Sequence, residues 1–302
     1  MSPDVLTLQN LEAWSRAGAS LAVLGHPIEH SISPAMHNAA LRHLAATRPE
    51  LGSWQYFRFD VEPASLPEAL ERLHQKGFRG LNLTVPHKIL ALDCVASIDE
   101  AARPCGAVNT LLWQERGWRG FNTDGYGLAA GIRDTLHCEL AGAKIVLLGA
   151  GGAARGAAVE CVQRGCASLT IINRSRESLD ALLALVRSIG GAVAIRGVVA
   201  AEMTPEITAG ALVINATSAG LRSTDAMPLN LAQVNRPAAV FDMIYNPPRT
   251  ALLREADRLG IPAANGLSML VHQGAKALEI WTAAPAHVTA PLMDAAARAA
   301  LR

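Results

Sequence analysis

The sequence predicts an α/β protein of two domains, each built on a largely parallel sheet flanked by helices. Three observations carry this expectation. Short apolar runs that read as strands alternate with longer stretches that read as helices, the pattern of parallel strands joined by crossovers. The length, 302 residues, suits two domains at roughly 100–200 residues each. A glycine-rich turn near the middle of the chain opens a second strand–helix series.

The elements follow in order. Residues 21–25 (LAVLG) read as a strand closed by Gly25-His26-Pro27. Ser33-Pro34 opens a helix, with proline at its first position. Residues 53–60 read as a strand, Leu66 to Gln75 as a helix closed by Gly77, and 79–85 as a strand ended by Pro86. The segment 125–140 reads as a helix joining the domains. The second series begins near Ala141, with strands at 144–149, 168–173, 211–216 and 238–244, a helix at 178–187 and a short strand ending at Gly266. From Ser268 onward the chain reads as helical. The expected boundaries are 1–125, completed by 266–302, for one domain and 126–265 for the other.

Composition narrows the function classes. Half of the residues are hydrophobic and 18% are charged, enough apolar material for packed cores and too much for disorder. Aromatics are 4%, so Ala, Leu, Val and Ile fill those cores, as suits helices packed on parallel sheets. The net charge of +1 gives no electrostatic case for nucleic acid or an acidic membrane as partner. The five cysteines form no C-x-x-C pair and are odd in number, which argues against a disulfide framework or zinc site and for a reducing compartment. The nine histidines include no H-E-x-x-H, so no metal site is expected. The N-terminus lacks a basic start followed by an apolar run, and no stretch is long enough to span a bilayer. A soluble cytoplasmic protein, monomeric or homodimeric, is expected.

Lys144 to Leu148 run into Gly149-Ala150-Gly151-Gly152-Ala153 and then a helix. Such a strand–turn–helix suits a dinucleotide: Gly149 permits the sharp turn, Gly151 lets a pyrophosphate approach the backbone, and the helix offers free N–H groups and a positive dipole end. In isolation the same glycines fit a turn in another α/β fold. The next strand ends at Asn173-Arg174-Ser175-Arg176, with no acid at its tip. NAD sites usually place a carboxylate there for the ribose 2′-hydroxyl; two arginines and a hydroxyl suit a 2′-phosphate instead. NADP is therefore the expected cofactor, against the bland alternative of a solvated basic loop.

Four N-terminal segments carry polar groups: His30-Ser31-Ile32-Ser33-Pro34, Asn82-Leu83-Thr84-Val85-Pro86-His87-Lys88, Gly106-Ala107-Val108-Asn109-Thr110 and Gly120-Phe121-Asn122-Thr123-Asp124-Gly125. Each alone has an ordinary explanation. Asn and Asp beside glycine are most often turn residues, Ser before Pro a helix cap, and a lone Lys a solvated helix start.

In this order, however, the segments resemble the shikimate dehydrogenase family, from about Leu21 to the last helices. H-S-x-S-P, N-x-T-x-P-x-K, A-V-N-T, N-T-D-G, G-A-G-G-A, N-R-S, N-A-T-S, D-M-x-Y-N-P and N-G-L-S-M-L-V-x-Q all appear in family order. The resemblance implies a substrate domain and a Rossmann-type, doubly wound NADP-binding domain with the substrate in a cleft between them. It implies that Ser31 and Ser33 hold a carboxylate, that Lys88 is the acid/base paired with Asp124, and that Asn109, Thr84 and Gln273 bind ring hydroxyls. Asn82 would support them and Tyr245 would line the pocket. Gly149, Ala150, Gly151, Gly152 and Ala153 would cradle the pyrophosphate. Asn173, Arg174, Ser175 and Arg176 would hold the adenosine ribose and its phosphate, and Met243, Gly266 and Glu100 would lie toward the nicotinamide. The implied reaction is reduction of 3-dehydroshikimate to shikimate by NADPH.

The chemistry is coherent on its own terms. Hydride addition to a ketone creates an alkoxide, so a proton donor must sit beside that oxygen. Two alternatives stay open: a quinate/shikimate dehydrogenase using NAD(P), and a non-catalytic NADP-binding sensor. The sequence also departs from the family pattern, with Ser175 where Thr is common and Leu267-Ser268-Met269 for Leu-Gly-Met.

Overall fold

The computed structural model describes residues 5–302, the side chains of Pro205 and Ile207 excepted. The chain divides into two compact units, one formed by the residues up to 123 together with 271–302, the other by 124–270.

The first unit carries β1 (Ser20–Gly25), α1 (Ser33–Ala45), β2 (Gln55–Asp60), α2 (Leu66–Gln75), β3 (Phe78–Leu83), the short α3 (His87–Leu90), β4 (Ser97–Ile98), β5 (Thr110–Gln114) and β6 (Gly117–Phe121). Its six-stranded sheet runs β2-β1-β3-β5-β6-β4. The pairings β1–β2, β1–β3 and β4–β6 are parallel, whereas β3–β5 and β5–β6 are antiparallel. The first sheet is thus less uniformly parallel than expected. The difference is the β5–β6 hairpin, whose two-residue turn leads into Gly117 at φ 128°. It carries no clean alternation of apolar and polar residues, and its neighbouring A-V-N-T and N-T-D-G motifs read as loops.

The strand β1 is buried along its whole length, as a central strand covered on both faces should be. Leu11, Phe59, Leu70, Leu73, Phe78 and Leu81 pack in one core cluster of this unit. The N-terminal segment, for which the sequence suggested no role, closes the sheet edge. Leu6 bridges in parallel to Phe59, and Trp14 stands edge-on to Phe57 at 4.9 Å. Covering an edge strand removes a template for unwanted pairing.

The second unit contains α4 (Asp124–Leu136), β7 (Lys144–Leu148), α5 (Gly152–Gln163), β8 (Ser168–Asn173), α6 (Arg176–Ser188), β9 (Ala194–Val199), β10 (Leu212–Asn215), β11 (Ala239–Asp242), α7 (Ala251–Arg258) and β12 (Ala263–Asn265). Its sheet runs β12-β11-β10-β7-β8-β9 and every pairing is parallel. Counted from β7, that is the order of the Rossmann fold, whose topological switch lies between β7 and β10. Alternate residues of β7 serve opposite faces: Ile145 and Leu147 enter one core, Val146 and Leu148 the other. The sequence reading missed β9 and α7, and began α6 late. Ser175 caps α6, accepting from the Ser178 N–H at 3.4 Å.

The C-terminal stretch is two helices, α8 (Leu267–Thr282) and α9 (Ala286–Ala300), separated by Ala283 at φ 58°. Along the chain, α8 starts in the second unit and continues into the first.

Candidate active site

In the second unit, the glycine turn sits at the carboxyl end of β7, beside the switch point where such sheets bind ligands. Gly149 has φ +108°, and a Cβ there would also lie 3.0 Å from the Thr217 methyl group. Conformation and space both demand glycine at this position. Gly151 and Gly152 differ: nothing lies within 4 Å of a Cβ built on either. Both are exposed, as is Ala153, and Ala150 is half-buried between them and the strand. The N-cap of α5 is Gly151, and no side chain caps the helix. Its first N–H groups thus face open space at the positive end of a twelve-residue helix, which fits a diphosphate.

The tip of β8 sorts the four expected phosphate ligands. Asn173 Nδ2 donates to the Ser175 carbonyl at 2.9 Å, and Ser175 is occupied as the α6 cap. Arg176 is held by Glu202, with both carboxylate oxygens at 3.1 Å. Arg174 is exposed and makes no hydrogen bond or ion pair among the described residues. Of the two arginines, Arg174 is the one available to an incoming phosphate, whereas Arg176 must leave Glu202 first.

A buried network ties the loops after β10 and β11 together, and the sequence reading gave its members no role. The Asp242 carboxylate accepts from Asn215 Nδ2 (2.9 Å), Thr250 Oγ1 (2.6 Å) and the Ile244 N–H (3.1 Å). Asn215 Oδ1 accepts from Thr217 Oγ1 at 2.7 Å, which fixes Thr217 beside Gly149. Burial pushes the Asp242 carboxyl above its ordinary range, against the pull of those donors. The legible signal was the polar run Asn-Ala-Thr-Ser at the end of a strand next to β7. On the following loops, Met243 and Tyr245 are half-buried, and burial raises the Tyr245 phenol. Gly266 is required sterically, because any Cβ there would overlap the Met243 backbone. Asp124 opens α4, is 8% exposed, and has its Cβ 3.7 Å from a Cβ built on Gly156 of α5.

In the first unit Ser31 and Ser33 follow β1, Asn82, Thr84 and Lys88 lie on or just after β3, Asn109 precedes β5 and Gln273 lies on α8. Ser33 is the buried first residue of α1 and its N–H faces Ser31 Oγ at 3.4 Å, so both hydroxyls stand at a helix N-terminus. Thr84 follows β3, its N–H donating to the Leu24 carbonyl at 2.9 Å. Lys88 is half-buried in α3, and its carbonyl accepts from the Val108 N–H at 2.8 Å, which pins the backbone that carries the ammonium. Asn82 donates through Nδ2 to the Asn109 carbonyl (3.2 Å) and Thr110 Oγ1 (3.0 Å). Asn109 Oδ1 accepts from the Thr123 N–H (2.8 Å), and its Nδ2 donates to Thr123 Oγ1 (3.0 Å) and Gln273 Oε1 (3.3 Å). Asn82, Asn109 and Gln273 therefore come together, joined by Thr110 and Thr123, which the sequence reading left unassigned although both lie inside motifs it recognised. Glu100 lies in this unit, exposed, in the turn after β4.

Two histidines of this unit contrast in burial. His37 is fully buried, its ring stacked on Tyr56 at 4.1 Å. Neither of its ring nitrogens has a hydrogen-bond partner, and burial lowers its pKa to about 3. His26 pairs with Asp60 at 2.6 Å, and that hydrogen bond raises its pKa.

The five thiols are free. Burial raises Cys161, and pushes Cys166 up to about 11, which disfavours the reactive thiolate. Among the described residues, no three His, Cys, Asp or Glu side chains gather as a metal site, and no helix is long and apolar enough to cross a membrane.

The chain matches three family models: the shikimate dehydrogenase substrate binding domain over residues 23–111, shikimate/quinate 5-dehydrogenase over 132–248, and the shikimate 5′-dehydrogenase C-terminal domain over 266–290. It is 37% identical to the shikimate dehydrogenase (NADP(+)) of Methanopyrus kandleri, over 89% of this chain and 91% of that one. It is 39% identical to that of Moorella thermoacetica, over 93% of each. Among solved structures, the shikimate 5-dehydrogenase of Thermus thermophilus in complex with NADP(H) and shikimate superposes with a TM-score of 0.81. The identity is 35%, covering 94% of this chain and all of that one.

Proposed function

The chain belongs to the shikimate dehydrogenase family, and we infer that it reduces the ring ketone of 3-dehydroshikimate to shikimate with NADPH, reversibly. The observation that carries this reading is the likeness, over 89% and 93% of the chain, to relatives named shikimate dehydrogenase (NADP(+)), together with the motifs that stand in family order. The enzyme is an NADP-dependent oxidoreductase acting on a secondary alcohol.

The residues divide the work. Gly149, Ala150, Gly151, Gly152 and Ala153 hold the diphosphate, through backbone N–H groups and the dipole of α5. Arg174, with Asn173, Ser175 and Arg176 around it, takes the 2′-phosphate; a hydrogen bond to a charged group is worth about 1.5–3 kcal/mol, enough to favour NADP over NAD by at least about tenfold. Met243 and Gly266 lie toward the nicotinamide, as does Glu100, and Tyr245 lines the substrate's surroundings. The nicotinamide supplies the hydride.

Ser31 and Ser33 take the substrate carboxylate at the N-terminus of α1. Thr84, Asn109 and Gln273 bind the ring hydroxyls, with Asn82 beside them. Lys88 holds a proton at Nζ and gives it to the carbonyl oxygen as that oxygen gains charge; in the reverse direction it removes the hydroxyl proton. Asp124 accepts a hydrogen bond from a ring hydroxyl. A positioned acid of this kind contributes about 10²–10⁴ in rate, and fixing both reactants supplies more. The free thiols agree with a reducing, cytoplasmic setting.

Quinate has an extra ring hydroxyl beside its carboxylate, which would crowd Ser31 and Ser33. Specificity constants for shikimate and quinate, each with NADP+ and NAD+, test the assignment. Shikimate with NADP+ should give the highest value. A higher value for quinate with NAD+ would overturn both the substrate and the cofactor.

A further inference from the structure

Tyr56 lies on β2, in no motif of the family resemblance, and is 1% exposed. Its surroundings hold it unusually firmly. Asn38 of α1 grips its backbone twice, accepting from the Tyr56 N–H at 2.8 Å and donating to the Tyr56 carbonyl at 2.9 Å. The His37 ring stacks on its face, nearly parallel at 1°. Its hydroxyl reaches Asn82 Oδ1 at 2.7 Å and also meets the Ser33 side chain, whose hydrogen bond opposes the shift caused by burial.

The direction of every hydrogen bond around Asn82 can be deduced. A backbone carbonyl only accepts, so the Asn82 atom facing the Asn109 carbonyl at 3.2 Å is Nδ2. The second Nδ2 proton goes to Thr110 Oγ1 at 3.0 Å, and that hydroxyl spends its own proton on Asn109 Oδ1 at 3.0 Å. Asn109 Oδ1 is fixed in turn by the Thr123 N–H, a donor only, at 2.8 Å. Both Asn82 protons are therefore used, and Oδ1 must accept from Tyr56. Of the four bonds an amide side chain can make, one remains: the second lone pair of Oδ1. Burial raises the Tyr56 phenol well above its ordinary range, so the donor keeps its proton.

We propose that Tyr56 is a positioning residue that locks Asn82 as a pure hydrogen-bond acceptor, so that Asn82 takes the hydrogen of a substrate hydroxyl and rejects a carboxylate. The inference rests on the reading of this unit as the shikimate site. There it adds a polarity. Asn82 Oδ1 takes the hydrogen of a ring hydroxyl and repels an anion, which sets it apart from the Ser33 hydroxyl on the other side of the same phenol. Without the Tyr56 hydroxyl, Oδ1 loses its anchor and the amide is free to turn its nitrogen toward the ligand. A contact of equal strength in ground and transition state acts on KM rather than kcat.

A double-mutant cycle tests this, using Tyr56→Phe, which keeps the ring and its stacking, and Asn82→Ala. In the wild-type background Tyr56→Phe should raise KM for shikimate by about tenfold, the size of one buried hydrogen bond. It should move kcat by less than about threefold and leave KM for NADP+ unchanged. On the Asn82→Ala background the same change should move KM for shikimate several-fold less than on the wild type, the remainder being its direct contact with Ser33. An equal step on both backgrounds, or no step on the wild type, would overturn the proposal. A wild-type chain that fails to oxidise shikimate would sink the functional reading instead. In that case the Asn82 side-chain amide resonances decide: shifted and faster-exchanging in Tyr56→Phe if the lock exists, unmoved if it does not.

Discussion

The two units prepare for their ligands in opposite ways. The unit formed by the residues up to 123 with 271–302 presents side chains, and those side chains are already committed to one another: Tyr56, Asn82, Asn109, Thr110, Thr123 and Gln273 form one hydrogen-bonded mesh. The unit 124–270 presents bare backbone, with Gly151 and Gly152 surrounded by open space and Arg174 unengaged at the tip of β8. The difference follows from what each ligand shows. A diphosphate offers only acceptors, so a row of N–H groups suffices. A ring carrying a ketone, hydroxyls and a carboxylate needs donors and acceptors in fixed places, which only an oriented network provides.

Substitutions can break this contrast, and the largest effect is expected at Lys88. Lys88→Ala should lower kcat by at least about 10²–10⁴ while calorimetric NADP+ affinity stays within about twofold, because the contacts proposed for the diphosphate and the 2′-phosphate lie in the other unit. Equal loss of both would make Lys88 structural and revive a non-catalytic reading.

Next comes the glycine turn. In Gly151→Val the new Cβ has nothing within 4 Å of it in the protein, and Gly151 has an extended backbone at φ −81°, ψ −171°. The variant should melt at the wild-type temperature yet bind NADP+ about 100-fold more weakly. Gly149→Ala should do the reverse, because its φ of +108° strains any L side chain by about 1–2 kcal/mol: the melting temperature should fall first.

A third effect appears as acid sensitivity of the substrate unit. His37 stays neutral in the fold down to about pH 3, whereas it takes up a proton near 6.5 when unfolded. Below pH 6.5 the unfolded chain binds the extra proton, so stability falls as pH falls through this window. The full difference is on the order of 5 kcal/mol. Denaturant titrations from pH 7 to 4 should show the slope, and His37→Phe, which retains a ring against Tyr56, should flatten it.

The smallest effect separates two neighbours. Arg174→Ala should weaken NADP+ about tenfold and leave NAD+ unchanged, whereas Arg176→Ala, whose guanidinium Glu202 already holds, should change NADP+ by less than about threefold. The opposite ranking would mean that the Arg176–Glu202 pair opens for the phosphate.

The same contrast explains what the sequence disclosed. The glycine turn was readable because its requirements are local: a positive φ at Gly149 and bare backbone at Gly151 are properties of residue type. The parallel series from β7 onward was readable from its apolar runs, and Ser33-Pro34 from its helix-start chemistry. The substrate mesh was readable only at its conspicuous members. Asn82, Asn109 and Gln273 stand in recognisable motifs, but the Tyr56 hydroxyl meets Asn82 across 26 positions, and no local pattern encodes that meeting. Arg176 illustrates the converse: its motif suggested a phosphate ligand, and Glu202, 26 residues on, engages it. The β5–β6 hairpin was missed because its strands alternate poorly, and β9 because as an edge strand it is only partly buried.

The most direct test of the account is electron density for shikimate and NADP+ soaked together into crystals of the wild-type chain. The expected result puts the shikimate carboxylate on Ser31 and Ser33, a ring hydroxyl on Asn82 Oδ1, the reacting oxygen within hydrogen-bond reach of Lys88 Nζ, and the diphosphate on the N–H groups that follow Gly151. Shikimate bound in the reverse orientation, with its carboxylate toward Asn82 or its reacting oxygen out of reach of Lys88, would contradict it.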